Sequence, residues 1–84
     1  MSTPVAVPAD LAEEAASLEK TIAEHEIDEI VNAIGHLETS NEELRAFLLE
    51  SGPDPDLQQA MYDNVAAIAT KAERVSVLRA STAH

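Results

Sequence analysis

Residues 27–48 read IDEIVNAIGHLETSNEELRAFL and decide the fold of this 84-residue chain. Mostly apolar residues recur through the stretch at steps of three and four, which is the spacing of a helix that packs along another helix. We call this stripe the seam, and its positions are Ile27, Ile30, Ile34, Leu37, Asn41, Leu44 and Leu48. The sequence therefore predicts that residues 27–48 form a helix with one specific helical mate.

One seam position, Asn41, is polar. A single Asn in an apolar seam can fix the register of a helix pair at some cost in stability. We therefore interpret Asn41 as a residue that hydrogen-bonds Asn64 or Ser40 across the pair, and expect Asn41→Leu to raise thermal stability while loosening specificity. The alternative is that Asn41 lies at the edge of the seam and is solvated.

Residues typical of helix ends predict that the chain forms two helices. Gly52 and Pro53 are typical of residues that follow a helix end, and Asp54 or Asp56 can cap the next helix. Because the connection is short, the two helices are expected to be antiparallel neighbours. The predicted elements are a disordered tail over residues 1–8, a long helix over about 9–51, a turn over 52–54 and a second helix over about 55–80.

The second helix is predicted to carry the matching half of the seam. Facing residues of an antiparallel pair have a nearly constant sum of positions, and Leu44 with Met61 or Ile30 with Val75 satisfies this rule. The predicted seam positions are Met61, Val65, Ile68, Ala72 and Val75, and the stripe ends at Arg79. The predicted fold class is all-α, an antiparallel coiled-coil helical hairpin with an N-terminal helical extension.

The N-terminal extension carries an apolar stripe of its own, formed by Leu11, Ala15, Leu18 and Ile22. This stripe is out of phase with the seam, which indicates either a stutter in one long helix or a break into two helices. Its residues have no partner in the hairpin. They could fold back as a third helix, pair with a second copy in a homodimer, or receive a helix from another protein.

Apolar residues outside the seam indicate a contact surface for a protein partner. The only aromatic residues, Phe47 and Tyr62, cluster with Leu57 near the turn in sequence, and aromatic residues are favoured as interface anchors. Gly35 in the long helix is interpreted as a point of close approach. The predicted partner-binding residues are Leu11, Leu18, Ile22, Phe47, Leu57 and Tyr62.

The composition argues against several other functions. The net charge of −11 with five basic residues argues against nucleic acid or anionic membrane as a partner. Residues 9–50 hold twelve acidic residues against Lys20 and Arg45, which either attracts a basic partner or merely keeps the helix soluble. Without a signal peptide or an apolar run of about 20 residues, we expect a soluble protein of the cytoplasm or nucleus.

Enzymatic chemistry is not expected, and neither is a cofactor. The absence of cysteine excludes a disulfide framework and a thiolate metal site. His25 and Glu29 share a helix face, but two ligands are too few for a metal site. The chain has neither a glycine-rich phosphate loop nor a nucleophile elbow. We therefore predict no catalytic, cofactor-binding or metal-ligating residues.

Several short strings of the sequence point to a family. They are Ile34, His36, Leu37, Ser40, Asn41 and Leu44, then Met61-Tyr62-Asp63 with Val65, and then Glu73-Arg74-Val75 with Leu78. Between roughly residues 22 and 78 the chain resembles the small fungal translation-machinery-associated coiled-coil family, the ATPase-dedicated chaperones of proteasome assembly.

The resemblance implies a stress-response chaperone shaped as a helical hairpin. Such a chaperone binds the N-terminal coiled-coil segment of one ATPase subunit of the proteasome regulatory particle and helps that subunit pair with its neighbour. The alternative function is that of a structural coiled-coil subunit, buried permanently in a helical assembly of the tethering or trafficking type.

Overall fold

The structure is a computed structural model that describes residues 9–82, and the predicted disordered tail lies outside the described residues. It consists of helix α1, Ala9–Ser51, and helix α2, Pro55–Thr82, packed against each other. The all-α helical hairpin is therefore confirmed. Because α1 is one uninterrupted helix, the N-terminal extension neither breaks away nor folds back on the hairpin.

The turn between the helices is built from the residue types that the sequence offers. Gly52 has a φ of 88°, and its backbone N–H donates to the carbonyl oxygen of Leu48 at 2.9 Å. The Asp54 carboxylate accepts from the backbone N–H groups of Asp56 at 3.0 Å and Leu57 at 3.3 Å, so Asp54 is the N-cap of α2. The N-terminus of α2 is thus capped within the three-residue connection, and Gly52 closes the last turn of α1.

Alanine substitutions at the two glycines are expected to change the free energy of unfolding in opposite directions. Gly52→Ala forces a left-handed conformation on an L-residue and should cost about 1 kcal/mol of unfolding free energy. Gly35 lies inside α1, and a Cβ there meets nothing within 4 Å, so Gly35→Ala should stabilise the chain by up to about 1 kcal/mol. Urea denaturation followed by circular dichroism checks both values. A loss at Gly35 would contradict the open space that the described residues leave around this position.

The molecule is a rod of 78 × 20 × 16 Å, because α1 is much longer than α2. Its radius of gyration is 21.2 Å, whereas a compact chain of this length has about 12 Å. The end of α2, at Thr82, borders a depression with Ala16, Lys20 and Ala23 of α1. We call residues 9–22 of α1 the overhang, because most of them project past the end of α2.

The seam of α1 lies against α2. All seven of its positions, from Ile27 to Leu48, are partly buried, and Asn41 is among them. The most buried side chains of the described residues are on α2, where Val75 is 6% and Leu78 is 8% exposed. The interior of the hairpin is therefore small and is densest where the last turns of α2 meet α1.

The seam of α2 differs from the prediction at three positions. Val65, Ala72 and Arg79 are exposed, and the residue before each of them takes its place in the seam. The partly or fully buried positions that step by four and three are Leu57, Met61, Asn64, Ile68, Lys71, Val75, Leu78 and Thr82. The prediction was wrong there because it favoured apolar residues over Asn64 and Lys71.

A lysine fits in a partly buried position for a physical reason. Lys71 can cover apolar surface with its methylene groups while its ammonium group stays in water. The same phase of α2 places Leu78 rather than Arg79 against α1, which gains apolar burial and leaves a guanidinium in solvent.

Neither helix is long and apolar enough over residues 9–82 to cross a membrane.

Candidate protein-interaction surface

A small polar network lies in the middle of the seam. The Nδ2 group of Asn64 donates to Oδ1 of Asn41 at 2.9 Å and lies 3.4 Å from Oγ of Ser40. The Nδ2 group of Asn41 donates to the backbone carbonyl oxygen of Met61 at 3.3 Å. The cross-helix hydrogen bond predicted for Asn41 is therefore present. Two amides that satisfy each other at one level of the seam favour a single register of the hairpin.

Within residues 9–82, two ion pairs lie outside the seam. Arg74 Nη2 lies 3.3 Å from Glu26 Oε1 across the two helices, and both side chains are about half exposed. His25 Nε2 lies 3.1 Å from Glu29 Oε1 on the outside of α1. Exposed pairs of this kind contribute little to stability. Nowhere in the part of the chain that the structure describes do three or more His, Asp or Glu residues gather as metal ligands.

Phe47 borders a shallow groove beside the turn. Its side chain is 52% exposed, and it lines the groove with Leu57 and Leu44. Leu57 is partly buried as a member of the α2 seam, so only part of its side chain is available to a partner in this groove.

Tyr62 lies on the opposite flank of the hairpin from Phe47. It is 69% exposed and comes three residues before Val65, so the two share one face of α2. Val65 lines a different groove with Met61 and Arg45, which does not include Phe47. Phe47 and Tyr62 therefore do not form one surface with Leu57, because the two helices present them on opposite flanks, which proximity in sequence does not reveal.

The apolar stripe of the overhang is exposed. Leu11 is 53%, Leu18 63% and Ile22 60% exposed. The end of α2 approaches α1 on the side of Ala16 and Lys20. At about 100° per residue, Leu18 lies about 160° around the helix from each of these two residues.

The stripe and the seam are therefore two faces of one regular helix, and no stutter separates them. The seam continues towards the N-terminus through Ala23, Lys20 and Ala16, which keep its steps of four and three. The apolar pattern alone missed this continuation because Lys20 and two alanines carry it. The overhang stripe, formed by Leu11, Ala15, Leu18 and Ile22, faces away from α2, so the hairpin cannot cover it.

Comparison with known proteins identifies the family. The model of the TMA17 helical domain matches residues 8–83, which span both helices and the turn. No curated protein and no solved structure matches the chain. The family match agrees with the resemblance carried by the residues around Asn41 and Val75. The chain therefore belongs to the TMA17 helical domain family, the family of ATPase-dedicated proteasome assembly chaperones.

Proposed function

We propose that this chain is a fungal proteasome assembly chaperone that binds one ATPase subunit of the regulatory particle through helix–helix contacts. Bound in this way, it promotes pairing of that subunit with its neighbour during assembly of the base. Membership of the family suggests a proteasome-related chaperone role. The client segment and the pairing step are our extension of that role, as are a site of action in the cytoplasm or nucleus and a part in the stress response.

The observation that carries the proposal is the exposed stripe of the overhang. Leu11, Leu18 and Ile22 are each more than half exposed on a face that α2 does not reach. A row of large apolar side chains at helical spacing is the kind of surface that receives an amphipathic helix. The chain thus offers one half of a helix pair to another protein.

The shape of the molecule supports action by binding rather than by catalysis. Val75 and Leu78 are the only buried apolar residues that the structure describes, so most side chains face solvent along a 78 Å rod. A long helix with an open face can lie along a coiled-coil segment of a client. Release remains possible because the available contact area is small.

Affinity purification of the tagged full chain tests the proposal. At low salt the chain should recover free ATPase subunits or partial precursors of the base, and raised salt should elute them because the chain is strongly acidic. Recovery of mature proteasomes only would contradict the proposal. Recovery of an unrelated helical assembly would instead favour a structural subunit of the tethering or trafficking type.

Separate variants on the two flanks of the hairpin show whether either flank contributes to binding of the client. Phe47→Ala changes the groove beside the turn, and Tyr62→Ala changes the opposite flank. Both side chains are more than half exposed, so neither change should unfold the hairpin. A client held by the overhang should be recovered by both variants, whereas loss with one of them assigns the contact to that flank.

A further inference from the structure

We infer that the overhang stripe binds a single amphipathic helix whose apolar face is bordered on both sides by Lys or Arg. The identification of that helix as part of an ATPase subunit rests on the proposed function. The location of the surface and its preference for basic borders rest on the geometry and charge of the overhang alone.

Both edges of the stripe are acidic. At about 100° per residue, Glu14 and Glu19 lie about 70° to either side of the centre of the stripe. The carboxylate-bearing side chains of Glu13 and Glu14 line a depression next to Leu18, together with Ser17 and Thr21. Cations on a docked helix would therefore meet one carboxylate at each border of the contact, Glu14 on one side and Glu19 on the other.

The only basic residue of the overhang cannot neutralise these borders. Lys20 lies nearly opposite the centre of the stripe, on the side that borders the end of α2 with Thr82. Glu14 and Glu19 are exposed and belong to no ion pair in the described residues. The charge at the edges of the stripe is thus left for a partner to complement.

The same charges argue against a second copy of this chain as the occupant. Two overhangs packed stripe to stripe would bring Glu14 and Glu19 of both copies to the edges of one interface. Like charges at such edge positions destabilise a helix pair, and both Lys20 side chains would lie on the far sides. A homodimer through the stripe is therefore disfavoured relative to a complex with a basic helix.

The size of the stripe sets the strength of the contact. The overhang of residues 9–22 is about 21 Å long, and its stripe offers three large side chains and Ala15. A contact of this size lies at the small end of specific interfaces. Reversible binding, helped at low salt by the acidic borders, is the expected behaviour.

The test uses the purified full chain and designed helical probe peptides in a fluorescence anisotropy titration. The first probe carries leucines at steps of three and four with lysines along both borders. A second probe keeps the leucines but has glutamates at the borders, and a third keeps the lysines but has serines in place of the leucines. Only the first probe should bind, and its affinity should fall about tenfold between about 50 mM and about 300 mM salt.

Variants of the chain locate the site of the first probe. Leu18→Ser should weaken binding about tenfold through lost apolar burial, whereas Val77→Ser, at a residue that is 50% exposed on α2, should not change it. Glu14→Gln with Glu19→Gln should weaken binding severalfold at low salt. The matched pair Glu50→Gln with Glu73→Gln removes the same charge elsewhere and should have little effect.

Three results would overturn the inference. The first is unchanged binding of the probe by the Leu18→Ser chain, and the second is equal weakening of binding by the two double Glu→Gln variants. The third is a wild-type chain that sediments as a dimer and a Leu18→Ser chain that sediments as a monomer. The same variants separate this inference from the proposed function. If the Leu18→Ser chain loses the probe but still recovers ATPase subunits from cells, the docking site is wrong and the chaperone function stands. If the wild-type chain binds the probe but recovers no ATPase subunit, the reverse holds.

Discussion

Leu78→Ala is expected to lower the free energy of unfolding by about 3 kcal/mol. Leu78 is 8% exposed and, with Val75, forms the entire buried core of the described residues. Truncating it removes apolar contact and leaves a cavity that two helices alone cannot close by rearrangement. Because a small single core supplies only about 3 to 5 kcal/mol in total, this one change should leave the hairpin largely unfolded.

Leu49→Ala is the matched control for this prediction. The chemical change is the same, but Leu49 is 80% exposed on α1, so its truncation should alter stability by no more than about 0.5 kcal/mol. Urea denaturation followed by far-UV circular dichroism measures both variants. Equal losses at the two positions would contradict the arrangement of α2, in which Leu78 and not Arg79 faces α1.

The second large effect concerns the pair of asparagines in the seam. Asn41→Leu and Asn64→Leu, made singly, should each lower stability by about 1 kcal/mol because each leaves a partly buried amide without its best partner. The double variant should be as stable as the wild type or more stable, since two leucines replace two polar groups that need each other. This expectation replaces the sequence-based one, in which Asn41→Leu alone raises thermal stability.

A double-mutant cycle in urea measures this coupling. The interaction energy between Asn41 and Asn64 should be about 1 to 2 kcal/mol. The double variant should also lose its unique register, which cross-linking between engineered cysteines at facing seam positions would reveal as additional pairs. A rise in melting temperature for Asn41→Leu alone would show that the bond to Asn64 contributes nothing.

The helices and the turn could be predicted because their signals are local. Gly52 and Asp54 mark the end of α1 and the start of α2, and an unbroken series of steps from Ile27 to Leu48 marks the seam of α1. The phase of α2 could not be read from apolar residues alone, because Asn64 and Lys71 hold seam positions. The signal that identifies the phase of α2 is the unbroken series of steps of four and three from Leu57 through Met61 to Leu78.

The candidate binding surface was predictable in part. The overhang stripe could be recognised because an apolar row without a mate in the chain must remain exposed, as Leu18 and Ile22 are. Its orientation could not, because that depends on where α2 ends relative to Lys20. The separation of Phe47 from Tyr62 likewise depends on how the two helices are rotated about their axes, which their spacing in sequence does not determine.

The most direct test of the chaperone function is a titration of the purified chain against each regulatory-particle ATPase subunit, produced singly and followed by calorimetry. We predict that one subunit binds with one-to-one stoichiometry, that raised salt weakens the complex, and that Leu18→Ser weakens it about tenfold while Val77→Ser leaves it unchanged. A chain that binds none of the isolated subunits would contradict a role in capturing an ATPase subunit before it pairs with its neighbour.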